Sequence, residues 1–286
     1  MDHKIEDKKI IENKQTVENK KAIEKKCCRE IMISVMALTL TTLLGGCGSN
    51  QDANGNSEIT HSTTQSEVSG GEKEENKDDA EIPYVGAGRN IKEASSPIYR
   101  KVDGKTIAYV AASRAEKNRM TPQATDSDAG ILRCYDNELF LQEIAEADAN
   151  ADYVVALAHW GTQYSYDLEE VQQTTGQEYI DAGADAVIGA HTHCLQGMEY
   201  YNGKPIIYSL GNYWFNEKTL DTMLLTLKIT GNENKQETKV QIIPAVQSEH
   251  VTTAADTTEE KERIYSFLES ISINVTIDEQ GFVEEE

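Results

Sequence analysis

Apolar residues in the middle of the chain recur in segments that alternate between strand and helix character. Apolar positions at helical spacing mark the helices, and short continuous apolar runs mark buried strands. The predicted order is a strand over Lys105–Ser113, a helix of about 14 residues within 137–151, a strand over 152–158, a helix within 168–184 that ends at Gly183, and a strand over 185–190. This alternation predicts an α/β fold built from βαβαβ units.

After Gly197 the pattern changes to short strands separated by polar turns. Asn202-Gly203 is a strong hairpin signal between two strands within 198–212, and the polar segment 231–237 separates a second pair of strands. Residues 257–272 have the pattern of an amphipathic helix with Thr258 as its cap. We therefore expect α/β units followed by antiparallel hairpins in a domain over 81–250, with a C-terminal helix and an acidic tail over 251–286.

The N-terminal part has a different pattern. Its apolar run, 31–44, is too short to span a hydrocarbon core of about 30 Å, so it predicts the hydrophobic region of a signal peptide over 1–46, with a long n-region. A misplaced start codon would also explain that length. The sequence Leu44-Gly45-Gly46-Cys47 resembles a bacterial lipobox, which predicts lipidation of Cys47 and an extracytoplasmic, membrane-anchored lipoprotein.

Residues 47–80 are almost devoid of apolar side chains and predict a disordered tether behind the lipidated cysteine. The whole chain has 49 acidic and 27 basic residues and a formal charge of −22, which disfavours nucleic acid as a partner. A polyanion as direct ligand would need a local basic patch. Cys134 and Cys194 are too few for a disulfide framework, and buried thiols are the simpler expectation, although one bridge is conceivable.

Three histidines stand at predicted strand ends. His159 follows the strand over 152–158, and His191 and His193 follow the strand over 185–190. Ligands in open α/β sheets bind in loops at the carboxyl ends of strands, so these histidines should open on one edge of the sheet. Neutral imidazoles suit Zn, Mn or Fe. A metal site and a polar loop both remain open at this point.

The stretch from ALAHWGTQYS to YSLGNYWF, with YIDAGADAVIGAHTH inside it, resembles the second half of the CapA/PgsA family. These are capsule and poly-γ-glutamate synthesis proteins of the calcineurin-like metallophosphoesterase superfamily, and the resemblance extends over roughly 82–245. It implies a partial sandwich of two sheets flanked by helices and a site for two divalent metal ions, in which His159, His191 and His193 match the metal-binding histidines. Two departures are Thr192, where proline is more usual, and Cys194, where an aliphatic residue is more usual.

The family's aspartate and asparagine metal motifs have no counterpart upstream of the matching region. Three neutral imidazoles can hold one metal weakly but supply no negative charge for a second, so the chain should be a poor phosphoesterase. Missing strands would also leave apolar faces uncovered, which implies a dimer or a complementing partner. Trp160 and Asn212 are possible walls of the site, with packing as the other interpretation of Trp160.

The sequence therefore suggests a surface lipoprotein of the CapA type, associated with capsule or poly-γ-glutamate biosynthesis at the cell envelope. Capsule polymer or polymer-synthesis membrane proteins are the expected partners. Its metal-dependent phosphoesterase-like site is incomplete, so enzymatic activity stays open and no catalytic residue is assigned. The alternatives are a non-catalytic, truncated accessory or polymer-binding module, and the C-terminal half of a split enzyme.

Overall fold

The computed structural model describes residues 31–35, 83–114, 121–232 and 235–286. From Tyr84 onward these residues belong, together with 31–35, to one compact unit. Its elements form a layer of helices on a mixed sheet, which in turn packs against a second, antiparallel sheet. A two-stranded ribbon of β2 (Ala87–Gly88) and β5 (Gly130–Ile131) adds to these layers.

The first sheet carries the predicted βαβαβ units. Its strand order is β3 (Ile98–Val102), β4 (Lys105–Ser113), β6 (Tyr153–His159), β7 (Ala186–Ala190), β9 (Lys204–Leu210) and β8 (Leu195–Tyr201). The four central strands run parallel, and β3 and β8 pair antiparallel at the two edges. All carboxyl ends of the parallel strands therefore meet at one edge of this sheet.

Both faces of the first sheet are buried, which explains its nearly continuous apolar strands. Along β6, Val154 and Ala156 face the helix layer, whereas Tyr153 and Val155 face the second sheet. The helix layer consists of α1 (Ile91–Ala94), α2 (Glu138–Asn150) and α3 (Glu170–Asp181). The α3 helix ends near Gly183, whose φ of 121° suits a residue without a side chain, as predicted.

The second sheet is built on one long hairpin. Strands β10 (Leu220–Asn232) and β11 (Lys235–Ser248) pair over their length, and alternate β10 residues from Met223 to Ile229 point into the core between the sheets. The helix α4 (Thr258–Ile271) contributes Ile264 and Leu268 to the same core. The remaining strands are β1 (Ile31–Val35), β12 (Val251–Ala254), β13 (Val275–Ile277) and β14 (Phe282–Glu285).

The structure confirms the α/β core and both hairpins, and it corrects the C-terminal prediction. Thr257 caps α4 with its side chain, one residue before the predicted Thr258. The expected acidic tail forms β13 and β14, and β14 pairs with β11. Its apolar residues, such as Val283, enter the core, so 251–286 is part of the same sandwich. Cys134 and Cys194 are buried thiols, as expected.

One short part of the predicted signal peptide is described. Ile31–Val35 forms β1 and pairs antiparallel with residues 225–229 of β10, at the outer edge of the second sheet. Without β1, the outer side of β10 would present unpaired backbone groups. A short segment rich in β-branched residues, such as Ile31–Val35, is suited to pair with them. The rest of 1–46, the lipobox with Cys47 and the tether lie outside the described residues. Within the described ranges, no helix is long and apolar enough to span a bilayer.

Candidate metal centre at the strand ends

The register of the first sheet brings the first two histidines together. His159, the last residue of β6, lies opposite Ala190, and His191 follows directly. The Nδ1 atom of His191 lies 2.9 Å from Nε2 of His159, and the ring centroids are 4.7 Å apart. The expectation that these histidines share one edge of the sheet is thus confirmed.

His193 is oriented by Asn212, which follows β9. Its Nδ1 lies 2.8 Å from Asn212 Oδ1, and because an amide oxygen only accepts, Nδ1–H is the donor. Nε2 is then left with a lone pair. The His193 ring stacks between Tyr164, at 5.5 Å, and Phe215, at 4.4 Å. Asn212 therefore orients His193 as a potential metal ligand.

The turn that carries the pair of histidines is strained. His191 has a φ of 105° and His193 a φ of 61°, and non-glycine residues in such regions cost on the order of 1–3 kcal/mol each. The fully buried Thr192 between them holds the turn, with its hydroxyl 2.8 Å from both the Cys194 carbonyl oxygen and Ser209 Oγ. Its own carbonyl accepts a hydrogen bond from the Tyr164 backbone N–H. Ser209 thus supports the histidine turn structurally.

Burial keeps His159 and His193 neutral. It lowers the pKa of His159 to about 4, with a smaller contribution from the charge of His193. Burial also lowers the pKa of His193, although the hydrogen bond to Asn212 opposes this effect and Lys218 adds to it. Neutral imidazoles have the lone pairs that a metal needs, so the protonation states at pH 7 fit a ligand role.

The geometry fits a metal only in part. Two nitrogens on one tetrahedral zinc lie roughly 3.3 Å apart, so the 2.9 Å contact between His159 and His191 must open by a few tenths of an ångström. The His193 ring centroid lies 6.0 Å from that of His191. The described residues include no group of three or more His, Cys, Asp or Glu side chains arranged to hold a metal. His159 and His191 are in direct contact, and the His193 ring lies beside this pair.

Trp160 does not line the site, which corrects the prediction of a site wall in favour of the packing interpretation. Its ring is fully buried, lies between Tyr179 and Tyr208, and donates a hydrogen bond from Nε1 to the Tyr208 carbonyl. A side chain at Gly189 would collide with that same carbonyl and with the indole nitrogen. Gly189 and Trp160 therefore form a close-packed support beneath the histidine turn.

Several residues at this edge were not foreseen. Tyr164 and Phe215 enclose His193, and Lys218 Nζ lies 3.5 Å from the Tyr164 ring centroid. Arg114 follows β4 directly, so the strand-end rule that found His159 would also have found it. No local sequence pattern indicated the contacts of Tyr164, Phe215 and Lys218.

Comparison with known proteins identifies a family whose match covers the strand-end histidine motifs. The family model "Bacterial capsule synthesis protein PGA_cap" matches residues 59–217, more than half of the chain. The chain belongs to this family. This match confirms the resemblance to capsule and poly-γ-glutamate synthesis proteins that rested on the histidine motifs.

Among the relatives, "PGA biosynthesis protein CapA" of Bacillus subtilis is 37% identical over 56% of this chain and 43% of its own length. "Capsule biosynthesis protein CapA" of Bacillus anthracis is 32% identical over 54% of this chain and 38% of its own length. The chain thus spans less than half the length of these two relatives.

Solved structures similar to the chain include a phosphatase of Mycoplasma pneumoniae, with 10% identity, a TM-score of 0.34, and coverage of 54% of this chain and 58% of that one. The NAD nucleotidase of Haemophilus influenzae has 16% identity, a TM-score of 0.28, and coverage of 62% of this chain and 34% of that one.

Proposed function

We propose that this family member acts in capsule or poly-γ-glutamate biosynthesis at the bacterial cell envelope, as an extracytoplasmic lipoprotein anchored through Cys47. Two of its relatives are named for PGA and capsule biosynthesis, which supports the process. The lipobox-like sequence before Cys47 supports the anchor. Capsule polymer, or membrane proteins that make it, are the partners consistent with this assignment.

We further propose that the histidine edge binds one divalent metal ion, Mn, Fe or Zn, weakly. The observation that carries this proposal is the contact between His191 and the neutral imidazole of His159, whose facing nitrogens lie 2.9 Å apart. Asn212 orients His193 beside them with Nε2 available. A metal held there would polarise a phosphoryl oxygen and activate a bound water.

A second candidate is a non-catalytic accessory module or one half of a split enzyme. It is favoured by the absence of a group of three metal-binding side chains in the described part of the chain. In this case the chain would work as a dimer or with a complementing partner. Light scattering of the purified chain, alone and with the product of the neighbouring reading frame, tests that arrangement.

The metal proposal is tested by calorimetric titration of the full chain with Zn²⁺ and Mn²⁺. His159 lies in a regular strand, so His159→Ala removes one ligand without altering the strained turn. His250→Asn is the matched control, because His250 lies outside the cluster and Asn tolerates its φ of 64°. We expect binding to be lost in the first variant and retained in the second. Equal binding in all three proteins would contradict the assignment.

Hydrolysis of a phosphodiester by the same proteins separates the two candidates. Metal-dependent turnover that disappears in His159→Ala supports the enzymatic alternative. Metal binding without turnover supports the accessory alternative.

The anchor is tested separately by fractionation of cells that express Cys47→Ser, with Cys28→Ser as control. Only the first variant should leave the membrane fraction, and retention of both would contradict lipidation at Cys47.

A further inference from the structure

The outer edge of the second sheet is covered by a strand from the predicted signal peptide. β1 (Ile31–Val35) pairs antiparallel with residues 225–229 in the middle of β10, which itself runs from Leu220 to Asn232. No other strand of the described ranges pairs with this side of β10. Removal of residues 1–46, which the proposed anchoring at Cys47 requires, therefore takes away the strand that covers this edge.

The uncovered edge would accept a strand of a particular pattern. Leu225, Leu227 and Ile229 are buried core residues at alternate positions of β10. Thr226 and Lys228, between them, are half-buried. Because side chains alternate between the two faces of a sheet, a strand that pairs here must carry apolar residues opposite the three buried positions. Unpaired backbone N–H and C=O groups along the edge would then complete the pairing.

β1 shows this pattern in the structure. Its three β-branched residues lie opposite the three buried residues of β10: Ile31 opposite Ile229, Ile33 opposite Leu227 and Val35 opposite Leu225. The middle of β10 has the same alternation, since Leu-Thr-Leu-Lys-Ile over 225–229 corresponds to Ile-Met-Ile-Ser-Val over 31–35. An antiparallel β10 from a second copy of the chain can therefore replace β1, position by position.

We propose that removal of the signal peptide opens this edge for a second copy, and that the two β10 strands pair antiparallel about a two-fold axis at Leu227. The pairing joins the second sheets of both copies into one continuous sheet. It sets Thr226 of each copy opposite Lys228 of the other, so no like charges face each other. It can extend over 222–232, beyond the five residues that β1 covers.

In the full chain β1 prevents this pairing, because it belongs to the same polypeptide as the edge. An intramolecular strand has a high effective concentration, which a second copy in dilute solution does not match. The acidic composition, with a formal charge of −22 for the full chain, also opposes association, so added salt should favour the dimer. The inference rests on the proposed signal peptide and anchor, and it makes their processing the step that permits dimerisation.

The first test uses the full chain with a protease recognition site inserted in the tether, within 47–80. Light scattering gives the molar mass before cleavage and after separation of the N-terminal fragment, and circular dichroism checks the fold. We expect a monomer before cleavage and a dimer afterwards. An excess of a synthetic peptide of residues 29–37 should restore the monomer, because it competes for the same edge.

A second variant opens the edge without cleavage. Ile33→Pro removes a backbone N–H from the middle of β1 and should weaken its pairing with β10. The full chain with this substitution should form dimers. Val17→Pro is the matched control, because it lies in the same predicted signal peptide but outside β1, and it should stay monomeric.

Two substitutions at Thr226 test the register. Thr226→Lys sets like charges opposite each other twice in a dimer, whereas Thr226→Glu sets opposite charges there. In the cleaved chain we expect about fivefold weaker and about fivefold tighter dimerisation, respectively, in a concentration series. Thr276 is exposed on β13, at the opposite edge of the same sheet. Thr276→Lys and Thr276→Glu should therefore leave the affinity unchanged.

A chain that stays monomeric both after cleavage and in Ile33→Pro would overturn the proposal. Equal affinities of Thr226→Lys and Thr226→Glu would overturn the register, and a dimer that exists before cleavage and does not change would overturn the competition with β1. Mass spectrometry of the chain extracted from cell membranes keeps the proposed anchor separate. An intact signal peptide there contradicts lipidation at Cys47, whereas light scattering tests the edge by itself.

Discussion

The two sheets of the sandwich differ in what they bury. The second sheet presents alternating apolar residues of β10 and β11 to the core in an uninterrupted register. The first sheet and its helices contain both buried carboxyl groups of the described residues, Glu143 and Glu199, and the first sheet ends in the histidine edge with its left-handed turn. A site of this kind contains strained and polar residues that lower the stability of the fold. The apolar surface that the second sheet buries offsets this cost.

The largest difference between the sheets should come from Gly189→Ala. The added methyl group would meet the Tyr208 carbonyl and the Trp160 nitrogen, so β7 and β9 must separate, at a cost of about 4 kcal/mol or more. Leu227→Ala in β10 creates an ordinary cavity and should cost about 3 kcal/mol. Urea denaturation measures both losses, and metal titration of the folded variants should be impaired only by Gly189→Ala. Equally weakened metal binding in the two variants would contradict the assignment of the site to the first sheet.

Glu143 tests the helix side of the first sheet. Both carboxyl oxygens are buried without a hydrogen-bond partner, and burial, with help from Glu146, raises the pKa to about 8. Because the folded-state pKa lies above that of the unfolded chain, stability is lost as pH rises from about 4.5 to about 8. Glu143→Gln should remove this loss and raise the free energy of unfolding by about 4 kcal/mol at pH 8.5 but almost not at all at pH 4. A gain that does not depend on pH would contradict the buried, protonated acid.

His159 tests the edge of the same sheet and has the opposite sign. Its folded-state pKa of about 4 lies below the ordinary value of about 6.5, so only the unfolded chain takes up a proton between these values. Stability is complete above pH 6.5 and falls by up to about 3 kcal/mol as pH decreases to 4. In thermal denaturation at a series of pH values, His159→Gln should lose less stability than the wild type between pH 6.5 and pH 4. An identical slope in both proteins would show that His159 is not buried as a neutral ring.

The sequence predicted the first sheet better than the second. Local periodicity was sufficient for β4, whose bounds Lys105–Ser113 agree with the structure, and for the placement of His159 and His191 at one edge. It could not identify β14, because a short strand such as Phe282–Glu285 is defined by its distant partner β11. The enclosure of His193 by Tyr164 and Phe215 likewise depends on residues brought together only by the fold.

Trp160 shows the same limit for a single side chain. Its position directly after His159 suggested a wall of the site, yet the peptide unit turns its ring inward beneath Gly189 and onto Tyr208. Adjacent residues in an extended segment point to opposite sides. The residue next to a site residue can therefore pack beneath the site instead of lining it.

The smallest predicted effect isolates the strain in the histidine turn. His191→Gly and His191→Ala both remove the ring and its contact with His159, but only glycine accepts a φ of 105° without cost. The glycine variant should therefore be more stable than the alanine variant by about 1 kcal/mol, the reverse of the usual order in a regular strand. The same pair of substitutions at Leu227 of β10 should favour alanine. If alanine is preferred at both positions, the turn is not strained, and the contrast between the two sheets lies in their buried polar groups alone.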